Sequence, residues 1–199
     1  KGLMNAALQG TDPVIFFESQ RIYDIGEYFH KEGVPEGYYE IAIGEPDIKR
    51  AGSDVTILSI GATLYRAIEA ADILAEKYGM SAEVIDARSL VPFNYDLVLE
   101  SVKKTGRIVL TGDASTRGSF MKEMAQTISE LAFDDLDAPP VVVGSRNWIT
   151  PAYELEDHFF PQADWIVDAI HEKIVPLNGH TSTSDWSDDA FLKRNKGGI

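Results

Sequence analysis

Residues 112–119, GDASTRGS, contain the residue types and spacing closest to those of a ligand-binding turn. They follow a predicted strand and precede a predicted helix, where free backbone N–H groups and the helix dipole attract anions. Arg117 would add positive charge there. However, Asp113 would repel a phosphate, and the spacing matches neither a dinucleotide-binding fingerprint nor a P-loop. The sequence leaves two interpretations open, an anion site and a structural or interface turn.

The other groups that could take part in catalysis or metal binding lack a supporting pattern. The histidines do not have the paired spacing of metal ligands: His30, His158, His171 and His180. The acidic group Glu154, Glu156 and Asp157 lacks the alternation of a calcium loop. No serine lies in a GxSxG motif, and Glu18 either acts in catalysis or fixes the loop that follows it. The residues by themselves predict no self-sufficient active site.

The composition restricts the function classes. The chain has 199 residues, a formal net charge of −14, 44% apolar residues and no cysteine. Without cysteine neither a disulfide nor a thiolate metal site can form. The negative charge argues against nucleic acid or an anionic membrane as a partner, and indicates either a well-solvated surface or a docking face for a basic partner. No apolar run is long enough to span a bilayer and no secretory signal is present, so we expect a cytoplasmic protein.

A strand–helix–strand unit at residues 53–90 organises the rest of the chain. Residues 55–60 form a short apolar run typical of a buried strand, and apolar residues then recur at helical spacing until Gly79. A second strand is predicted at residues 82–87. Two strands joined by a helix of this length are parallel with a right-handed crossover.

The alternation continues to the end of the domain. The further predicted elements are a helix with Asn94 as its N-cap, a strand at 107–111, a helix after Ser119, a strand at 141–143 and a helix that begins at Pro161. The helix after Ser119 has one apolar face, formed by Met121, Ala125, Ile128 and Leu131. The pattern predicts an α/β fold with three layers, a mostly parallel open sheet and helices on both faces.

The first part of the chain has a different character. Residues 1–18 contain a predicted helix and an apolar run at 14–17 that predicts a buried strand. Residues 19–52, rich in glycine and proline, predict an extended linker with short strand character near 39–43. Because Lys1 begins the chain within a predicted helix, we expect a fragment of a longer polypeptide.

The α/β domain itself is predicted over residues 53–177. Residues 178–199 form a polar tail with few apolar residues. Within this tail, residues 187–195 are either a short docked helix or disordered.

Several stretches of the sequence are distinctive in this order: GLMNAALQGTDPVIFFES, VIDARSLVPFNYD, SVKKTGR, LDAPPVVVG and FFPQADWIVDAI. Together they resemble the beta subunit of the thiamine-diphosphate-dependent dehydrogenase component of 2-oxo-acid dehydrogenase complexes. Enzymes of this family act on pyruvate, branched-chain 2-oxo acids or acetoin. The resemblance covers residues 1–177.

The resemblance implies a transketolase C-terminal-like domain at 53–177 and a remnant of a pyrimidine-binding domain at 1–18. It implies a parent enzyme that oxidatively decarboxylates a 2-oxo acid on thiamine diphosphate and transfers the acyl group to a lipoyl arm. The family's activating glutamate and active-site histidine have no counterpart in this chain, and the alpha subunit holds the diphosphate and its Mg²⁺. We therefore expect no catalytic and no cofactor-binding residue in this chain, which alone should be inactive.

One metal site is implied by the same resemblance. In relatives, a potassium ion is coordinated partly by backbone carbonyls of the segment that matches Ala7, Gly10 and Asp12. The remaining ligands have no counterpart in this sequence, so we expect at most a partial potassium site.

The resemblance also implies a set of protein partners. Acidic residues of the family's C-terminal domain receive the basic subunit-binding domain of the acyltransferase, and the candidates here are Asp134, Asp135 and Asp137. The alpha part of the dehydrogenase and a second beta part, forming a dimer, are the other expected partners. Two alternatives stay open: a non-catalytic interaction module, or the C-terminal domain of another thiamine enzyme such as a transketolase or a deoxyxylulose-phosphate synthase.

Overall fold

The computed structural model describes residues 1–26, 28–30 and 32–185, together with Ala190 and Lys193. The helices in these residues are Gly2–Gln9 (α1), Thr63–Tyr78 (α2), Asp96–Thr105 (α3), Phe120–Leu131 (α4) and Ala163–Lys173 (α5). The strands are Asp47–Arg50 (β1), Val55–Ile60 (β2), Ala82–Asp86 (β3), Ile108–Ser115 (β4) and Val141–Ser145 (β5). Short 3₁₀ segments lie at Gln20–Ile22, Phe133–Asp135 and Tyr153–His158. None of the helices in this described part combines the length and hydrophobicity that a membrane span requires.

The strands form one sheet in the order β1-β3-β2-β4-β5. β3, β2, β4 and β5 are parallel to their neighbours, whereas β1 is antiparallel to β3. At the centre, Ile57 of β2 lies opposite Val84 of β3 and Val109 of β4. The structure confirms the predicted mostly parallel sheet.

Helices cover both faces of the sheet, as the sequence predicts. Successive residues of β2 point to opposite faces, so that Ile57 belongs to the core under α2 and α5 and Leu58 to the core under α3 and α4. The first core also contains Leu74, Ile166 and Ile170. The second contains Ile85, Val102, Met124 and Ile128.

Local sequence signals determine where two of the helices end or begin. Gly79 has a positive φ of 64° and donates from its N–H to the Ala75 carbonyl, while Met80 donates to Leu74, which ends α2 as predicted. The regular part of α3 begins at Asp96, but Tyr95 already has helical φ and ψ angles, and the Asp96 N–H donates to the Asn94 side chain at 3.0 Å. An N-cap side chain accepts this kind of hydrogen bond, which supports the capping role predicted for Asn94.

The prediction of a buried strand at residues 14–17 was wrong. The structure shows no strand there, and Ile15 and Phe17 are 82% and 85% exposed. This run pairs with no strand of the described residues, and alternate side chains, Ile15 and Phe17, are left largely uncovered. An apolar run indicates a segment suited to burial, but burial needs a partner.

Strand β1 was not predicted, and the strand character expected near residues 39–43 is absent. β1 reads DIKR, too polar for a sequence signal, because as an edge strand it pairs only with β3. The third predicted strand also continues further than expected, since residues 112–115 belong to β4 rather than to a turn.

After α5, the chain runs back over α2 and α5 as a segment, residues 175–184, that we call the C-terminal strap. Leu177 of the strap is buried, and its N–H donates to Nδ1 of His171 at 2.7 Å. The short helix considered at residues 187–195 lies outside the described residues, apart from Ala190 and Lys193.

A fully buried carboxylate, Asp168 of α5, holds the far end of this strap. It accepts hydrogen bonds from Nε2 of His180 at 2.7 Å and from the backbone and side chains of Thr183 and Ser184 at 2.8–3.0 Å. Nδ1 of His180 is also 2.7 Å from the Tyr78 hydroxyl of α2. Burial alone raises the pKa of Asp168, but the hydrogen bonds from Ser184, His180 and Thr183 outweigh it and lower the pKa below its ordinary value.

We predict that Asp168→Asn destabilises the chain by roughly 2 kcal/mol, because an amide cannot accept all the hydrogen bonds that this buried carboxylate accepts. Urea unfolding at pH 7 measures the change. Glu76→Gln on α2 is the control, since the Glu76 side chain is exposed and its loss should cost less than about 1 kcal/mol. Equal losses for both variants would contradict the role given to Asp168.

Candidate functional site

The carboxyl ends of β2 and β4 form the crevice of this sheet. After β2 the chain crosses to β3 through α2 on one face, and after β4 it crosses to β5 through α4 on the other face. The divergence of two such connections opens a crevice where ligands of open α/β sheets bind. Asp113, near the end of β4, lies at this point.

Asp113 is surrounded by a small charged group. Arg21, from the first 3₁₀ segment, lies with its guanidinium 3.9 Å from the Asp113 carboxylate and 3.7 Å from that of Glu156. The guanidinium also stacks on Phe160, 4.3 Å from the ring centre. Oδ1 of Asp113 is buried and accepts no hydrogen bond from the described residues. Burial raises the pKa of the Asp113 carboxyl; Arg21 opposes this effect and Glu156 adds to it.

This geometry favours the structural interpretation of residues 112–119. Thr116 binds the neighbouring strand twice, by donating its N–H to the Ser145 carbonyl and by accepting the Gly144 N–H on its hydroxyl. Arg117 is exposed, and its carbonyl accepts a hydrogen bond from Ser115. The turn is therefore fastened to β5, and the nearest buried charge in the crevice is a carboxylate, which is unsuited to an anion.

The predicted potassium ligands lie in the last turn of α1 and just after it. Ala7 lies in the last turn of this helix, where carbonyl oxygens have no donor within the helix. A Cβ atom built on Gly10 would lie 3.7 Å from the Ala7 carbonyl oxygen, and Asp12 follows on the surface. Oxygen donors of this kind suit a hard cation, so the partial potassium site stays a prediction.

The three predicted docking aspartates differ in their surroundings. Asp134 and Asp135 are exposed in the 3₁₀ segment after α4. The N–H of Asp137 donates to the Gly106 carbonyl at 2.7 Å, and its carboxylate lies 3.7 Å from Nε of Arg107. Asp137 therefore joins the end of α3 to the chain before β5, whereas the other two carboxylates face solvent.

The other candidates from the sequence have structural contacts. Glu18 accepts a hydrogen bond from the Tyr23 hydroxyl at 2.9 Å, which favours the loop-fixing alternative. His171 and His180 belong to the contacts of the strap. In the part of the chain that the structure describes, no group of three or more His, Asp or Glu residues could hold a metal ion.

The sequence analysis missed Arg21 and Asp168. Arg21 lies in an aperiodic segment, and its partners are 92 and 135 residues away along the chain. Asp168 reads as one more polar residue of an amphipathic helix. Its only sequence signal is the run of hydrogen-bonding residues at 180–184, HTSTS, for which no local rule names an acceptor.

A second, open cleft of about 620 Å³ lies beside the strap. Arg146 stacks on Trp165 in this cleft, 3.9 Å from the ring centre, and Thr183 and Ser184 of the strap form part of its wall. The strap therefore shapes the surface at this edge of the sheet.

We predict that Asp113→Asn raises the thermal stability of the chain at pH 8. Because the pKa of Asp113 is raised in the folded chain, the ionised carboxylate costs stability at pH values above that pKa. The cost disappears as the pH falls through the raised pKa, so the melting curves of variant and parent should converge in acid.

The measurement is thermal unfolding between pH 8 and pH 4.5. Asp135→Asn, at an exposed position, is the control and should show no such pH-dependent gain. A variant less stable than the parent at pH 8 would mean that the attraction of Arg21 outweighs burial.

Comparison with known proteins finds one matching family and several similar beta subunits. The family described as transketolase, C-terminal domain, matches residues 44–166. The beta subunit of acetoin:2,6-dichlorophenolindophenol oxidoreductase from Bacillus subtilis is 39% identical over 86% of this chain and 49% of its own length. The beta subunit of 2-oxoisovalerate dehydrogenase from the same organism is 41% identical over 86% of this chain and 52% of its own length. The chain thus spans about half the length of the curated relatives it matches.

A solved structure is also similar. It is described as a split gene transketolase, inactive beta4 tetramer, and it matches with a TM-score of 0.55 and 30% sequence identity. The match covers 70% of this chain and 45% of the other.

Proposed function

Since the chain belongs to the transketolase C-terminal domain family, we propose that it is the C-terminal part of the beta subunit of a 2-oxo-acid dehydrogenase. One observation carries this proposal: identity of 39–41% to two dehydrogenase or oxidoreductase beta subunits, sustained over 86% of the chain. The similarity extends well beyond the domain itself, into the segment before β1.

In this proposal the parent enzyme oxidatively decarboxylates a 2-oxo acid and passes the acyl group to a lipoyl arm, in the cytoplasm. Thiamine diphosphate with Mg²⁺ supplies the carbanion chemistry in the parent. This chain contributes contacts to the alpha part and to a second beta part, a docking face for the basic subunit-binding domain of the acyltransferase, and part of a potassium site.

The crevice at the carboxyl edge does not fit a diphosphate. The carboxylates of Asp113 and Glu156 both lie within 4 Å of the guanidinium of Arg21. A diphosphate would compete with both carboxylates for this cation, and a phosphate next to them would be repelled. This supports the proposal that the chain alone binds no cofactor and is inactive.

A related thiamine enzyme is the second candidate, because the similar solved structure is described as a transketolase. Its identity to this chain, 30%, is lower than the 39–41% of the two beta subunits and covers less of the chain. A non-catalytic interaction module of another kind is the third candidate.

Calorimetric titration of the 199-residue chain tests the docking role and the absence of a cofactor site. The chain is titrated with thiamine diphosphate plus Mg²⁺, and separately with a basic acyltransferase subunit-binding domain. We expect no heat from the cofactor and binding of the basic domain that weakens as salt is raised.

The other outcomes are equally informative. Tight cofactor binding would refute the proposal that the chain lacks a cofactor site. Absence of binding to the basic domain at low salt would refute the docking role.

A further inference from the structure

Three side chains at the carboxyl edge of the sheet surround a positive charge. Asp113 lies near the end of β4, Glu156 lies in the third 3₁₀ segment and Phe160 follows it. The guanidinium of Arg21 lies 3.9 Å from the Asp113 carboxylate and 3.7 Å from that of Glu156. It also lies 4.3 Å from the centre of the Phe160 ring. We call Asp113, Glu156 and Phe160 the cation cradle, because carboxylates beside an aromatic face suit a planar, weakly hydrated guanidinium.

The cation cradle stands on well-anchored backbone. Phe160 donates its N–H to the Glu156 carbonyl at 2.9 Å, so the ring and this carboxylate belong to one short turn. The neighbouring Phe159 is 4% exposed, and its carbonyl accepts the Arg146 N–H at 2.9 Å, which joins the turn to the chain after β5. Asp113 belongs to β4 itself. We therefore expect the cradle to keep its shape when Arg21 is absent, and a preformed site binds with a lower entropic cost.

Arg21, the occupant of the cradle, is held less firmly. It lies in the first 3₁₀ segment, Gln20–Ile22, which is not part of the sheet. The backbone hydrogen bonds that close this segment are 3.3 Å long, near the upper limit for an N–H donor. The Arg21 side chain is 31% exposed. The guanidinium therefore reaches the cradle from a weakly ordered turn and keeps partial access to solvent.

Arg21 also leaves the cradle partly unsatisfied. Its distances to the two carboxylates exceed the roughly 2.7–2.9 Å of a charge-assisted hydrogen bond. Oδ1 of Asp113, the oxygen nearest to Arg21, is buried and accepts no hydrogen bond from the described residues. Burial raises the pKa of the Asp113 carboxyl, and Arg21 opposes this effect only in part. A guanidinium that is not tethered to the backbone could approach this oxygen to hydrogen-bond distance.

We infer that the cation cradle is a binding site for a guanidinium group, and that Arg21 occupies it as an internal ligand that a small guanidinium compound can displace. Displacement would release residues 19–23 from the sheet domain, so the site would control how the preceding segment is attached. The inference does not depend on the proposed function, because neither thiamine diphosphate nor an acyltransferase takes part in it.

Removal of the internal ligand should make the site available to an external one. The tether gives Arg21 a high effective concentration at the cradle, so an external guanidinium competes poorly in the parent chain. Arg21→Ala should therefore bind methylguanidinium about tenfold or more tightly than the parent does. Addition of Asp113→Asn to this variant should weaken binding by about tenfold or more, because an uncharged amide replaces the buried carboxylate.

The test is calorimetric titration of the full 199-residue chain and its variants with methylguanidinium chloride at pH 8, with sodium chloride holding the ionic strength constant. Arg66→Ala is the matched control. The Arg66 guanidinium lies 3.0 Å from the Glu69 carboxylate and 4.0 Å from that of Asp157, but these carboxylates are 53% and 80% exposed. Because exposed ion pairs stay well solvated, loss of Arg66 should create no site.

Thermal melting supplies a second readout and checks that each variant is folded. Binding to the folded chain should raise the Tm of Arg21→Ala with a saturating dependence on methylguanidinium. Urea, a planar but uncharged compound of similar size, should lower it. Arg21→Gln, which removes the charge and keeps a long side chain, should behave like Arg21→Ala.

Each remaining outcome overturns the inference. If folded Arg21→Ala binds methylguanidinium no better than Arg66→Ala does, the cradle is not a guanidinium site. If the parent binds as tightly as Arg21→Ala, Arg21 is not the occupant of the site. If neither Arg21→Ala nor Arg21→Gln folds, Arg21 is a structural clamp and not a displaceable ligand.

Discussion

Burial of the central strands on both faces is the constraint on which the rest of the structure depends. β2 lies between two parallel neighbours, and its residues from Val55 to Ser59 have no exposed surface. Both faces must be covered by helices, because parallel strands with an open face are not stable. The buried Thr56 hydroxyl of β2 is paired, since it lies 2.6 Å from that of Ser101 and 2.8 Å from that of Thr105.

This constraint also explains which elements the sequence predicts. Buried parallel strands and amphipathic helices leave strong local patterns, and the core elements were found near their observed positions. The run at 14–17 has the same apolar pattern but no partner strand in the described residues, and composition alone cannot reveal that difference. β1 is the opposite case. Its own residues are polar and give no strand signal, and it forms a strand because the edge of β3 is available for pairing.

The candidate sites likewise divide into features that the sequence indicates and contacts that only the folded chain reveals. Charge and family resemblance indicated an acidic face, and the structure shows which of its carboxylates face solvent. The helical period placed Leu131 inward, which was wrong, because the period does not state at which residue a helix ends, and the side chain, 60% exposed, turns outward at that end. The contacts of Arg21 and Asp168 join segments far apart in sequence, so only the assembled fold reveals them.

The position of the strap has a consequence for attaching probes to this protein. Its far end, at Thr183 and Ser184, lies by the residues that follow β5, whereas the 3₁₀ segment Phe133–Asp135 precedes that strand. The five residues of β5 separate these two edges by about 17 Å at the usual rise of a strand. A fluorophore near residue 184 thus reports on the contact of the strap with Asp168. The label leaves the residues that precede β5, at the opposite edge, unobstructed.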